Sequence, residues 1–129
     1  MPGELEAKLL EEKLLEYLSE DIGFADITSS SIIPANLQAE AMITLNSDGV
    51  IAGVRESSCI FQIANIKLLE HSDDGAQGRK GQVIFRIKGT AKSILTVERT
   101  ALNILMRMSG IATLTRRLVE EARSINPTI

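Results

Sequence analysis

From Ser93 to the Asn-Pro at 126–127, apolar residues recur at helical spacing, and this long stripe most constrains the fold. A helix with one apolar face cannot stand alone in water, so a second layer must cover it. At about 100° per residue, Ile94, Val97, Ala101, Leu102, Ile104, Leu105 and Met108 span a broad arc, with Leu95 and Met106 at its edge. Thr96, Arg99, Thr100, Asn103 and Arg107 fall on the remaining side. Ser109-Gly110 interrupts the run, and glycine's weak helix propensity predicts a C-cap or a kink there. Beyond it, Ile111, Thr115, Leu118, Ala122 and Ile125 restart a second stripe.

Two neighbouring charges in VERTALNILMRMSGIATLTRR (97–117) have opposite settings on this wheel. Glu98 projects into the apolar arc beside Ala101, Leu102 and Leu105. A buried carboxylate costs several kcal/mol unless paired, so the sequence predicts an inward Glu98 with a structural role, holding the helix against its neighbour. Arg99 lies at the rim between the faces. There its guanidinium fork can leave the domain and grip a carboxylate in two-point fashion, or remain a solvated or salt-bridged surface group.

The layer that covers the helix must come from the preceding residues. Residues 4–18 read as an amphipathic helix through Ala7, Leu10, Leu14, Tyr17 and Leu18, and SEDIGFADITSSS (19–31) reads as a loop. AEAMITL and VIAGV follow as short β-type segments, the first with partial alternation at Ala39, Met42 and Thr44. Asp48-Gly49 between them predicts a hairpin. Residues 54–64 fit a short helix and IKLLEH a strand. QVIFRIKGTA fits a half-buried strand with Val83, Phe85 and Ile87 on one face and Gln82, Ile84, Arg86 and Lys88 on the other. The mixture of helices and strands, without repeats or linkers, predicts one α+β domain: a small sheet packed with helices.

Composition removes several function classes. The 129 residues are 3% aromatic with no Trp, which argues against a base-stacking platform, and a net charge of −3 without a basic run argues against nucleic acid or an anionic membrane. Cys59 and His71 are the only cysteine and histidine, which disfavours zinc ligation, a disulfide or a Cys–His dyad. The sequence context of Cys59, SSCIFQIA, reads as that of a buried thiol. The acidic N-terminus has no apolar signal core, and the expected location is cytoplasmic. GAQGRKG (75–81) spaces its glycines regularly but feeds a strand rather than a helix, so it reads as a turn and not a phosphate loop. Lys80 in that turn lacks the surroundings of a biotin or lipoate attachment site. Asp21 and Asp26 read as backbone caps rather than an acid–base or metal pair.

Three stretches carry a family resemblance: EDIGFADITSSSIIP (20–34), SDGVIAGV (47–54) and ERTALNILMRMSGIATLTRR (98–117). They resemble quinolinate phosphoribosyltransferase, the carboxylating nicotinate-nucleotide pyrophosphorylase, collinearly over essentially the whole chain. The ERTALN…SGIAT run is the most specific part. Ala25 departs from the glycine usual in that family, and Asn46 and Lys92 from its more frequent polar or basic residues.

The resemblance implies that residues 1–129 are an N-terminal, hammerhead-like α/β domain ending just before a C-terminal α/β barrel that is absent here. It implies a role in NAD biosynthesis: quinolinate and phosphoribosyl pyrophosphate give nicotinate mononucleotide, pyrophosphate and CO2. Mg2+ would be bound with phosphoribosyl pyrophosphate by the barrel. The resemblance places no catalytic residue and no metal ligand in these residues, and the chain alone is expected to be inactive. One family site residue maps here. Arg99 would reach across a homodimer, or a larger homo-oligomer, to a quinolinate carboxylate in the partner's barrel. Two alternatives stay open: a molybdate-transport-associated paralogue, and a non-catalytic dimerisation or adaptor module.

Overall fold

Strand β5 (Val83–Thr90) organises the fold, because both of its edges are paired and helix α2 (Ala91–Ile125) follows it directly. The computed structural model describes Glu12 and residues 33–128. The expected helix over 4–18, apart from Glu12, and the loop with Asp21, Ala25 and Asp26 lie outside the described residues. Before β5 come β1 (Gln38–Thr44), β2 (Gly49–Val50), α1 (Val54–Ile63), β3 (Lys67–His71) and β4 (Gln77–Gly78). The main sheet is antiparallel in the order β1-β5-β3, and β2 pairs with β4 in a second, short sheet. The α+β expectation holds.

Register decides which side chains form the core. Ala39, Ala41 and Ile43 stand opposite Gly89, Ile87 and Phe85, and Leu68 stands opposite Ile87. All therefore share one face, which packs with residues of α1 and α2 in a single cluster. Within that core Phe61 of α1 meets Phe85 edge to face at 5.2 Å. Fully burying a side chain of this size stabilises by roughly 1.5–3 kcal/mol. The opposite face is mostly polar, with Glu40 opposite Lys88 and an exposed Arg86–Glu70 ion pair at 3.4 Å beside the exposed Met42.

Several sequence expectations change here. Inward alternation on β1 uses Ala39, Ala41 and Ile43, while Met42 and Thr44 face out. Ile84, expected on the outer face of β5, is buried beside Phe85. The β1–β5 register shifts between Ile43 and Thr44, and such a bulge turns an extra residue inward. Asp48-Gly49 does not make a hairpin, because β1 pairs with β5 and β2 pairs with β4. Thr100, placed on the polar side of the helix, is buried.

The largest difference is α2 itself, which runs unbroken for 35 residues through Ser109-Gly110. Thr90 starts it, its hydroxyl oxygen accepting from the Ser93 backbone N–H at 3.1 Å. Helix α1 begins at Gly53, whose positive φ of 88° suits a residue without a Cβ. Asp74 arrives from the β3–β4 connection and accepts from the Val54 and Arg55 N–H groups at 2.8 and 3.1 Å. A carboxylate there satisfies two orphan donors and complements the helix dipole.

Candidate functional site

The helix survives its Ser-Gly because the serine has work to do against another segment. Ser109 Oγ accepts from the Ala52 N–H and donates to the Ala52 carbonyl, both at 3.0 Å. One turn later, Thr113 Oγ1 accepts from the Val50 N–H at 2.9 Å and donates to the Ser109 carbonyl at 2.7 Å. The SDGVIAGV and SGIAT stretches therefore form one seam, in which Val50 and Ala52 hydrogen-bond to α2 side chains while Ile51 between them exchanges backbone hydrogen bonds with Gly75 and Ala76. Close approach requires small residues: a Cβ on Gly49 would lie 2.7 Å from Thr113 Oγ1, and one on Gly53 would lie 3.2 Å from the Ile104 carbonyl oxygen. Arg116 extends the seam by donating to the Gly75 carbonyl at 3.2 Å.

The seam holds α2 so that another part of it faces outward. Core burial falls on Ile94, Val97, Thr100, Ala101 and Leu105. The sector with Leu95, Glu98, Arg99, Leu102, Asn103 and Met106 lines a shallow depression of about 420 Å³ instead. Arg99 and Asn103 are exposed in it, one helical turn apart, and neither side chain hydrogen-bonds to a described residue. Leu95 is 44% and Met106 70% exposed, so two apolar side chains flank the cation. Such a patch can take a planar acid, with the guanidinium on a carboxylate and the ring on the aliphatic flanks.

Glu98 corrects the expectation of an inward carboxylate, because it is exposed in this chain. The apolar arc is wider than the core that covers it. The core takes the Val97–Thr100 side and leaves the side with Leu95, Glu98 and Met106 open. Glu98 stands between the Arg99 depression and a second one of about 380 Å³, which reaches Ile43 and Phe61.

The remaining candidates are dispersed. Cys59 is half-buried against the core rather than fully buried. His71 is exposed at the end of β3, its Nδ1 2.9 Å from the Ser72 carbonyl oxygen. Lys80 sits on an exposed turn whose backbone N–H donates to Asp48 Oδ1 at 2.7 Å. Among the described residues no group of three or more His, Cys, Asp or Glu could hold a metal ion. None of the described helices is long and apolar enough to cross a membrane. Sequence reasoning missed the roles of Ser109, Thr113 and Asp74. Their signal is hydroxyl or carboxylate chemistry aimed at distant backbone, which spacing along the chain does not display.

Comparison with known proteins bears on the same segments. Residues 26–109 match the family described as quinolinate phosphoribosyl transferase, N-terminal domain. The probable carboxylating nicotinate-nucleotide pyrophosphorylase of Archaeoglobus fulgidus is 43% identical over 106 residues, covering 82% of this chain and 40% of the relative. Its counterpart in Bacillus subtilis is 38% identical over 113 residues, covering 85% and 38%. Among solved structures, NadC from Streptococcus pyogenes superposes with a TM-score of 0.78 at 29% identity, covering 87% of this chain and 41% of that one. This chain thus spans about two fifths of the length of the relatives it matches.

Proposed function

The chain belongs to the quinolinate phosphoribosyltransferase family and carries its N-terminal domain, and from that premise we propose that it serves a shared active site. In this reading the domain pairs with a barrel that binds quinolinate, phosphoribosyl pyrophosphate and Mg2+. Arg99 holds a quinolinate carboxylate inside the barrel of a second subunit. The reaction yields nicotinate mononucleotide, pyrophosphate and CO2, and the acid–base and phosphate-binding groups come from the barrel. The one observation that carries the reading is the setting of Arg99: exposed, its guanidinium without a hydrogen bond to any described residue, and flanked by exposed Leu95 and Met106.

A cation placed this way binds without catalysing. It neutralises a substrate carboxylate and fixes the ring's orientation, so its loss acts mainly on substrate affinity. In the full-length enzyme, Arg99→Ala should raise the quinolinate KM by roughly 10- to 100-fold, the size of a charge-assisted hydrogen-bond pair. The KM for phosphoribosyl pyrophosphate should hold. The 129-residue chain alone should form no nicotinate mononucleotide above background. Unchanged quinolinate kinetics in the variant would remove Arg99 from the site, and turnover by the isolated chain would remove the need for a barrel.

A further inference from the structure

Glu98 and Asn103 share the depression with Arg99, and of these the neutral Asn103 is the group that can add to an anion site and has no task in the reading above. Asn103 lies one turn after Arg99, is exposed, and its side chain forms no hydrogen bond with a described residue. Residues four apart on a helix are neighbours, with Cβ atoms roughly 5–6 Å apart, so both side chains can reach one bound group. Asparagine is also among the poorer residues for a helix interior. Here it sits far from either end of α2, so it caps nothing, and it interrupts neighbours that are leucine and isoleucine. Its carboxamide is neutral and carries two N–H donors. Next to an anion it adds hydrogen bonds without a second positive charge.

We propose that Asn103 is a substrate-binding residue of the same patch, donating from its Nδ2 amide to the carboxylate that Arg99 grips. This rests on the placement of Arg99 at an aromatic carboxylate, given above. The helix then offers a donor edge from two successive turns, with Leu95 and Met106 beside it for the ring. A carboxylate has about four lone-pair directions, so a two-point guanidinium contact leaves room for the amide. The arrangement selects a planar carboxylate over a bare halide or an uncharged ring, because only the carboxylate reaches both turns.

The test uses the full-length enzyme and steady-state kinetics with each substrate varied. Asn103→Ala should raise the quinolinate KM about tenfold, the value of one hydrogen bond to a charged group. The kcat should stay within about twofold and the KM for phosphoribosyl pyrophosphate should be unchanged, a split that a merely structural defect would not give. Asn103→Asp should be worse than Asn103→Ala, since it sets a like charge against the substrate and engages Arg99 across one turn. In the Arg99→Ala background, Asn103→Ala should add far less than it does alone, because the two act on one group.

Three outcomes would overturn the proposal: a quinolinate KM within twofold of wild type for Asn103→Ala, an equal rise for both substrates, or an Asn103→Asp variant that binds as well as wild type. If Arg99→Ala raises the KM and Asn103→Ala does not, only the Asn103 assignment fails. If Arg99→Ala leaves the KM unchanged, the reading of the patch fails and Asn103 goes with it.

Discussion

The two halves of α2 carry similar apolar stripes and put them to different uses. Before Ser109, the stripe enters the core: Val97 and Ala101 are 1% and 0% exposed. After it, Ile111, Leu114, Leu118 and Ile125 are 67%, 55%, 56% and 87% exposed. The second half is held to the domain by hydroxyl and guanidinium contacts from Ser109, Thr113 and Arg116 rather than by burial of that stripe. Helical periodicity therefore shows that a face is apolar but not which body covers it. Contiguous exposed apolar surface of this kind marks a contact site, and the proposed barrel is its natural occupant.

The sharpest way to break that contrast is to remove its polar fastening. Ser109→Ala leaves the Ala52 N–H and carbonyl without their partner, and the domain should lose about 1–3 kcal/mol in denaturant unfolding. Leu118→Ser, in the exposed stripe, should cost the isolated domain under about 0.5 kcal/mol by the same measurement. Equal effects would mean that the two halves are held alike. A smaller change sharpens the same point. Gly110 is helical, and an added Cβ would meet nothing within 4 Å. Gly110→Ala should therefore raise stability by about 0.5–1 kcal/mol, whereas a loss would mean that the helix needs to bend there.

Much of this was legible beforehand, for local reasons. The spans of α1 and β3 follow from short periodic segments bounded by turn residues, and the inward Phe85 and Ile87 follow from alternation on β5. What escaped depends on residues far apart in the chain. Asp48-Gly49 announces a turn, yet pairing is settled by β5, roughly forty residues onward. Ser109-Gly110 looks like a stop until Ala52 supplies its backbone, 57 residues away. Glu98 follows the same logic, since its wheel position is correct but the domain's own core covers a neighbouring sector. Arg99 is the candidate that a rim position and a family motif both single out, and it is exposed as the rim position predicts.

The central claim is that Arg99 works in another subunit's barrel, and subunit mixing tests it most directly. Full-length Arg99→Ala enzyme would be unfolded and refolded together with full-length enzyme whose barrel has lost its phosphate-binding groups. Each parent is inactive or nearly so at low quinolinate. A statistical mixture of dimers restores one intact site in each heterodimer, so activity should recover to about a quarter of wild type. Recovery no greater than the sum of the parents would contradict the account, because Arg99 would then act within its own chain or not at all.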